Sequence, residues 1–414
     1  MPPLPTDHRW PSVHRSALLI FFLTCMLVGG RQVIWYWSHG PVVSDLRIFM
    51  TGVEILRSGH GHELYRFDAQ QAVQNRLYPA TRQAGLLPFN HLAYELLIYW
   101  PLAGFSYRTA LIAWGALNLG LAALIAWLIA PQLRTLRSTT GVPLFLWLVA
   151  FYPVLFVFGE GQDSLLSLTL IALSLRCFIN QRMFLAGLVL ALTLFKFHLA
   201  VLIAFFVFVL PRTWRALAGF GAGVALVVGI SRVMVGPSFA HDYFYMLRNQ
   251  DVMTPWGFVP WFMPNLRGLL QWALAPRLDI GDILPIILLA SLAVIAVASW
   301  ILFHSKIAHS PALLYSVAIL TTSLVSFHLH MQDLTLAALP MLFLLESALR
   351  GDLSRALAIT ATIMIVLLYA FRLAAEPFPI LLVRGCLMAI PTFGLWVVSL
   401  APRCQPAKTE HFPS

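Results

Sequence analysis

Long apolar segments alternate with short polar ones along nearly the whole chain. The first apolar run, residues 17–37, is long enough to cross a bilayer, which takes about 20 helical residues. Positive charges precede it and it carries no small-residue cleavage site, so we interpret it as a signal anchor. Further apolar runs are found at residues 86–105, 108–130, 142–158, 164–179, 183–210, 216–235, 283–303, 312–327, 334–349, 356–373 and 380–400.

This pattern predicts an all-α polytopic membrane protein, because only helices satisfy the backbone of such runs within lipid. We expect about 11–13 membrane helices, including short or re-entrant ones. Composition agrees, since 59% of residues are hydrophobic and 11% are charged. The net charge of +10 does not indicate nucleic-acid binding, because most Lys and Arg fall in short loops that set topology. The four cysteines show no paired spacing, which indicates neither disulfides nor zinc.

The chain is predicted to form a single membrane domain over residues 17–400. Residues 1–16 and 401–414 are placed in the cytoplasm, because positive loops mark that side. Residues 38–86 form the first external loop and residues 236–281 the second. In the first loop we expect two interfacial helices, because apolar residues recur at helical spacing. They are Leu46, Phe49, Met50, Val53 and Leu56.

Two apolar runs contain polar residues that are costly in lipid. Residues 86–105 include Asn90, His91 and Glu95, so this run is predicted to be short or re-entrant. Residues 183–210 are interrupted by Lys196 and His198, and we expect two half-depth helices that meet near Lys196.

Polar and ionisable residues gather on the predicted non-cytoplasmic side. Such residues at membrane depth indicate a functional site. Acids, imidazoles and cations on one face suit a reaction that moves a proton and neutralises a phosphate. The set comprises Asp45, Arg47, Asn90, His91, Glu95, Gln162, Asp163, Lys196, His198, Asn265, Arg267, His328, His330 and Asp333.

Asp45 and Lys196 each allow two interpretations. Asp45 follows the first span, where it is either a general base for a hydroxyl proton or a helix N-cap. Lys196 is flanked by apolar runs and cannot easily reach water. It either contacts a phosphate or pairs with a buried acid such as Asp163.

Three further motifs keep alternatives open. His328, His330 and Asp333 suit hydrogen bonds to a phosphate or hydroxyl, a metal site, or a structural role. Residues 159–164 are predicted to start a helix. Its free N–H groups either bind an anion or are capped by Asp163 or Ser164. Arg267 lies over a sugar or phosphate, or is interfacial. Four aromatic residues precede Arg267 and either belong to the aromatic belt at the membrane interface or form a stacking surface for a sugar. They are Trp256, Phe258, Trp261 and Phe262.

An ordered set of motifs resembles the polyprenol-phosphate-mannose-dependent mannosyltransferases of glycosyltransferase family 87, within the GT-C superfamily. The motifs span nearly the whole chain. A departure at residues 89–93, where many relatives have a Tyr-Pro-Pro-like turn, indicates a divergent bacterial member. The matching pieces are Ser44-Asp45-Leu46-Arg47 with Tyr65, Pro88-Phe89-Asn90-His91 with Trp100-Pro101-Leu102, Gly161-Gln162-Asp163-Ser164, Ala186-Gly187 with Phe195-Lys196-Phe197, Asn265-Leu266-Arg267-Gly268, and His328 to Asp333.

The resemblance implies a hexosyltransferase that moves a sugar, mannose in many relatives, from a polyprenyl phosphate to a lipid or glycan hydroxyl with inversion. It implies Asp45 as catalytic base, no cofactor and no metal, since the leaving phosphate needs no protonation. The donor phosphate is assigned to Lys196 and His330, with Arg267 and His328 in reserve. The remaining polar residues are assigned to substrate binding: Arg47, Asn90, His91, Gln162, Asp163, Asn265 and Asp333.

The expected location is the inner cell membrane, with a cytoplasmic N-terminus and the active site facing the periplasm or exterior. The main competing function is a transporter or flippase of a lipid-linked or small molecule, which an inverted repeat with paired broken helices would favour. A membrane acyltransferase with a histidine base is a second alternative. A non-catalytic assembly protein, whose polar residues only join helices, is a third.

Overall fold

A computed structural model describes residues 12–253, 262–305, 310–375 and 385–403. The protein is 82% helical and has no strand in this described part. The predicted all-α class is therefore confirmed. The signal-anchor run lies inside a longer helix, α1 (Ser12–His39).

The helices of the first half differ widely in length. They are α2 (Leu46–Arg57), α3 (Phe67–Leu77), α4 (Leu96–Tyr99), α5 (Tyr107–Ile129), α6 (Arg134–Thr140), α7 (Leu144–Val149), α8 (Tyr152–Glu160), α9 (Ser164–Ile179), α10 (Met183–Ala191) and α11 (Phe197–Ala204). Several 3₁₀ turns connect them, of which Pro79–Ala84, Ala93–Glu95 and Leu194–Lys196 bear on the site.

The second half contains the longer helices. They are α12 (Trp214–Val235), α13 (Phe239–Met253), α14 (Leu266–Leu274), α15 (Ile280–His304), α16 (Pro311–Val325), α17 (Ala338–Leu349), α18 (Arg355–Ala375) and α19 (Ala389–Leu400). A 3₁₀ helix, Met331–Ala337, leads into α17. The second external loop thus contains two helices, α13 and α14, within its described residues.

Six helical stretches of the described chain are long and apolar enough to cross a membrane, or seven if one bent pair is counted as a span. Three shorter apolar helices add to these: Ser164–Ile179, Pro311–Val325 and Gly385–Leu400. The protein is therefore polytopic. Full-length spans are fewer than the expected total of about 11–13, which included short and re-entrant helices.

The two irregular runs have the predicted form. Residues 86–105 contain only short helical turns, so they do not form one continuous membrane-spanning helix. In residues 183–210, the pair Met183–Ala191 and Leu194–Val209 is bent by 61° at a break next to Lys196. One further run, 142–158, was expected to be continuous but is divided between α7 and α8. Pro153 explains the division, because a proline is tolerated in the first turn of a helix but not in its interior.

The first external loop is packed into the protein more deeply than an interfacial helix would be. Most of α2 is buried, including both Arg47 and Thr51. From α3, the Gln70 side chain accepts a hydrogen bond from Phe89 N at 2.7 Å, and Gln74 Nε2 donates to the Leu87 carbonyl at 2.6 Å. These buried amides hold the loop that precedes His91.

The bent helix pair is fixed by a close helix crossing between α10 and α12. A Cβ added at Gly187 would lie 1.8 Å from the Ala216 carbonyl oxygen, and one at Gly219 would lie 1.9 Å from that of Phe184. Only glycine permits this approach of two backbones, as is common at helix interfaces in membranes. The crossing therefore anchors the helix that leads to Lys196.

Candidate active site

Asp45 occupies the N-cap position of α2, but its side chain makes no capping hydrogen bond. Instead its Oδ2 atom accepts a hydrogen bond from Gln162 Nε2. The Glu160 carboxyl is also hydrogen-bonded to the Asp45 side chain. Asp45 is half-buried. The N-cap alternative therefore describes its backbone position, whereas its carboxylate belongs to a side-chain network.

The backbone of Gln162 is fixed by hydrogen bonds to α5. Its carbonyl accepts hydrogen bonds from Trp114 Nε1 at 3.0 Å and Asn118 Nδ2 at 3.4 Å, both on α5. The preceding Gly161 has φ +70°, and a Cβ there would lie 2.9 Å from Leu46 Cβ. Glycine is thus required where the turn between α8 and α9 meets the start of α2. The turn fixes the Gln162 amide against Asp45.

This geometry separates two roles for Gln162. If it orients Asp45, Gln162→Leu is expected to lower kcat roughly tenfold, equivalent to about 1.4 kcal/mol of transition-state stabilisation, without changing the donor KM. The substrate-binding role predicted from the sequence would instead raise KM. Steady-state kinetics of the purified variant check this, with Gln71→Leu on α3 as a control, since the Gln71 amide bonds to Asn75 of the same helix. An unchanged kcat would show that Asp45 does not depend on this hydrogen bond.

Lys196 lies at the centre of a buried ionic cluster. Its Nζ atom is 2.6 Å from Asp163 Oδ1, 2.5 Å from Asp333 Oδ1 and 2.7 Å from Ser164 Oγ. The residue is 4% exposed. The ammonium donates hydrogen bonds to Ser164 and Asp333, and its contact with Asp163 is an ion pair. The alternative that Lys196 pairs with a buried acid is thus what the structure contains.

A third acid and an imidazole extend this cluster. His91 Nδ1 lies 2.6 Å from Glu95 Oε2 and 3.4 Å from Asp163 Oδ2. Burial lowers the pKa of His91 to about 4, so its ring is neutral at pH 7. The contact with Glu95 is therefore a hydrogen bond between an uncharged imidazole and a carboxyl group.

His91, Glu95 and Asp163 are also a possible metal site. Their ligand atoms all lie within 4.8 Å of one another, and one nitrogen with two carboxylates suits a divalent transition metal. Glu95 Oε1 is buried and has no hydrogen-bond partner. However, the Lys196 ammonium already lies against Asp163, where it supplies positive charge. The predicted histidine motif does not form such a group within the described residues.

The histidine motif forms a hydrogen-bonded turn. Asp333 Oδ2 accepts the backbone N–H of His330 at 3.1 Å and so caps the helix Met331–Ala337. The two imidazole rings are nearly perpendicular, with His330 Nε2 and His328 Nε2 3.0 Å apart. Burial lowers the pKa of His330. His330 also lies within electrostatic reach of Asp45, Asp333 and Lys196. It therefore connects the Asp45 network with the Lys196 cluster.

Asn265 and Arg267 hold the chain that leads into this motif. The Asn265 side chain accepts from Gly268 N at 2.8 Å and donates to the Ser326 carbonyl at 2.7 Å. Arg267 Nη1 donates to the Phe327 carbonyl at 3.0 Å, and its guanidinium lies 3.5 Å above the Phe327 ring. Both side chains therefore contact residues 326–327, and Asn265 also caps the start of α14.

Arg47 and Asn90 are placed differently. Arg47 is 1% exposed, and its Nε and Nη1 atoms have no hydrogen-bond partner. Its guanidinium lies within electrostatic reach of Asp45, Tyr107 and Tyr78. Asn90 is half-buried. Of the predicted aromatic group, Trp256, Phe258 and Trp261 lie outside the described residues, while Phe262 is 42% exposed.

Three participants were given no catalytic or binding role from the sequence. Glu160 bonds to Asp45, Ser164 Oγ contacts both Lys196 and Asp333, and Glu95 bonds to His91. Glu95 and Ser164 lie within motifs that the sequence singles out. The signal for Glu160 was its position between two glycines directly after an apolar run.

Comparison with known proteins identifies the family. The model of glycosyltransferase family 87 matches residues 95–327, which is more than half of the chain. No curated protein and no solved structure matches the chain. The matched part includes Gln162, Asp163, Lys196 and Arg267, whereas Asp45 and the histidine motif lie outside it. The chain therefore belongs to glycosyltransferase family 87 and is a membrane glycosyltransferase.

Proposed function

We propose that this protein transfers a hexose, mannose in the first instance, from a polyprenyl-phosphate sugar to a hydroxyl of a lipid or glycan acceptor. One observation carries the proposal. Asp45 is a half-buried carboxylate that does not cap its helix and is oriented by Gln162, near the imidazole of His330. A positioned acid beside groups able to meet a phosphate suits transfer from a phosphate-linked donor.

The proposed reaction is a single displacement. Asp45 removes the proton from the acceptor hydroxyl while its oxygen attacks the anomeric carbon. The bond from that carbon to the phosphate oxygen breaks, and the configuration of the sugar is inverted. Polyprenyl phosphate leaves as an anion, which needs electrostatic stabilisation but no proton.

His330 and His328 are the proposed contacts for the donor phosphate. An imidazole N–H can donate a hydrogen bond to a phosphate oxygen. The Lys196 ammonium offsets part of the negative charge of Asp163 and Asp333, which would otherwise repel an anionic donor phosphate near His330. Arg267 donates a hydrogen bond to the carbonyl of Phe327, and this contact fixes the chain directly before the histidines.

The proposed mechanism uses no metal, because the Lys196 ammonium already contacts Asp163 in the group His91, Glu95 and Asp163. Treatment of the purified enzyme with EDTA is therefore expected to change the transfer rate by less than about twofold. That corresponds to a change in activation free energy well below about 1.4 kcal/mol, which would be tenfold. The measurement is sugar transfer before and after chelation. Loss of activity that Mn²⁺ or Mg²⁺ restores would instead assign His91, Glu95 and Asp163 as metal ligands.

We further propose an inner-membrane location, with the N-terminus in the cytoplasm and the site open to the periplasm or exterior. Positive residues in the loops opposite the site support this orientation. It places the proposed donor in the membrane and the proposed acceptor at its outer face.

Transfer of radiolabelled mannose from polyprenyl-phosphate mannose to membrane acceptors tests the function. Purified protein in membranes is expected to produce a labelled lipid or glycan, and heat-inactivated protein is the control. Transfer from a nucleotide sugar, with none from the polyprenyl phosphate, would contradict the proposed donor. Movement of the lipid-linked sugar across vesicles without transfer would support the transporter alternative.

A further inference from the structure

The end of α1 packs against the end of α8, close to the proposed base. Trp37 Nε1 donates a hydrogen bond to the Phe158 carbonyl at 2.9 Å. A Cβ added at Gly159 would lie 3.0 Å from Cδ2 of Tyr36, so the tyrosine ring packs directly on the α8 backbone. This packing fixes the position of Glu160, the last residue of α8.

Both neighbours of Asp45 in the chain contact the backbone around Glu160. Ser44 Oγ donates a hydrogen bond to the Glu160 carbonyl at 2.7 Å. On the other side of Asp45, Leu46 Cβ lies 2.9 Å from where a Cβ at Gly161 would be. These contacts bring the two acidic side chains together, and the Glu160 carboxyl is hydrogen-bonded to that of Asp45.

The contact between these two carboxyl groups requires a proton on one of them, because an ionised carboxylate can only accept a hydrogen bond. The surroundings favour the negative charge on Asp45, since Gln162 Nε2 donates to it and the Arg47 guanidinium lies within electrostatic reach. Glu160 instead faces the two acids Asp45 and Asp333. Like charges nearby favour the neutral form of a carboxyl group. The proton therefore belongs on Glu160.

Tyr36 completes the arrangement from α1. Its hydroxyl is hydrogen-bonded to the Glu160 carboxyl. Since the Glu160 proton is directed to Asp45, the phenol is the donor in this second bond. Glu160 thus accepts a hydrogen bond from one neighbour and donates one to the other, and both bonds fix the orientation of its carboxyl group.

On the basis of the proposed function, we infer that Asp45 and Glu160 act as a carboxyl pair that shares one proton. Glu160 is a positioning residue, whose O–H donates to the Asp45 carboxylate and, with the Gln162 amide, orients it. When Asp45 accepts the hydroxyl proton, the acceptor oxygen bonds to the anomeric carbon and the bond from that carbon to the phosphate oxygen breaks. The pair then holds two protons, and one passes to water before the next turnover.

The pair should give the enzyme a bell-shaped dependence of kcat/KM on pH, with both limbs belonging to the pair as a whole. As the pH falls, Asp45 becomes protonated and can no longer act as a base. As the pH rises, Glu160 loses its proton, which removes the hydrogen-bond donor and adds a negative charge near the donor phosphate. Other titratable or charged groups also face the pair: Tyr36, Arg47, Tyr99, Tyr107, Tyr152, His330 and Asp333.

Two substitutions at Glu160 separate the hydrogen bond from the shared proton. Glu160→Gln keeps a hydrogen-bond donor toward Asp45 but has no ionisable proton, whereas Glu160→Leu has neither. Because hydrogen bonds to charged groups are strong, Glu160→Gln is expected to turn over roughly tenfold faster than Glu160→Leu at neutral pH, a difference of about 1.4 kcal/mol. Glu160→Gln should also lose the alkaline limb of the pH profile. Equal turnover of the two variants, or an unchanged alkaline limb in Glu160→Gln, would overturn the inference.

Infrared spectroscopy of the detergent-purified full chain detects the shared proton without any substrate. At neutral pH, the difference spectrum between the parent and Glu160→Gln should contain the carbonyl band of a neutral carboxyl group. This band should shift when Asp45 is replaced by Asn, because its hydrogen-bond partner changes. Glu63→Gln is the matched control, since the Glu63 side chain is 32% exposed and lies 3.8 Å from Arg66. Its replacement should remove only a carboxylate band.

The two measurements keep this inference apart from the proposed function. If the parent transfers no sugar from polyprenyl phosphate but shows the neutral carboxyl band, and that band depends on Asp45, the pair stands and the proposed sugar donor falls. If the parent transfers sugar but Glu160→Gln removes only a carboxylate band, the proposed function stands and the pair falls. A neutral carboxyl band that is identical in Asp45→Asn would also overturn the pair.

Discussion

Replacement of Asp45 by Asn is expected to lower kcat by about 10²–10⁴-fold, the usual contribution of a general base. Asparagine keeps the size of the side chain and can still meet the Gln162 amide through its oxygen, but it cannot accept the acceptor's proton. Protein level and thermal stability should remain near those of the parent. The measurement is transfer of radiolabelled mannose from polyprenyl-phosphate mannose under saturating donor.

Asp68→Asn is the matched control for this prediction. Asp68 is an exposed acid of the same external loop, and its partner is Arg66 at 2.6 Å. Surface ion pairs of this kind contribute about 0–1 kcal/mol to stability, so activity should be retained. Near-parental turnover of Asp45→Asn would remove Asp45 as the base and direct attention to Glu160, the carboxyl bonded to it.

Replacement of Lys196 by Met is expected to be the most damaging single change to the fold. It removes the one ammonium from between Asp163 and Asp333, both of which are buried. Breaking a buried ion pair by removing one partner typically costs about 3–5 kcal/mol, because a charge stays buried without compensation. A lower unfolding temperature in detergent and a reduced yield of folded protein measure this effect.

A double variant distinguishes the structural role of Lys196 from a direct phosphate contact. Asp163→Asn combined with Lys196→Met removes one negative charge along with the positive one, and it should recover part of the lost stability. If donor KM in this recovered protein stays near the parental value, Lys196 acts only within the cluster. A donor KM that remains raised supports the predicted phosphate contact. Arg215→Met, an exposed basic residue, controls for the loss of charge alone.

Local patterns predicted much of the helical structure. Residues 164–179 were predicted as one helix, and α9 has those bounds. The break near Lys196 was predicted because a charge between two apolar runs is costly in lipid, and the chain bends there by 61°. The division of residues 142–158 was missed, because average hydropathy does not register the effect of Pro153 on the helix.

The candidate site was predicted as a set of residues, but their partners were not. The sequence left Lys196 open between a phosphate and Asp163, and it gave no indication that Asp333 also binds it. Gln162 was assigned to substrate, yet its amide holds Asp45. Asn265 was assigned likewise, yet both ends of its amide bond to backbone.

The sequence by itself determined that this protein is a helical membrane protein with polar groups at depth, because apolar length and the cost of buried charge are read locally along the chain. Only the tertiary structure decided how those groups are paired. Lys196 and Asp333 are 137 positions apart, and Gln162 and Asp45 are 117 apart. Contacts over such separations depend on how distant helices pack, and hydrogen-bond geometry is satisfied only within a few tenths of an ångström. That packing distinguishes Asp45 from a simple helix cap.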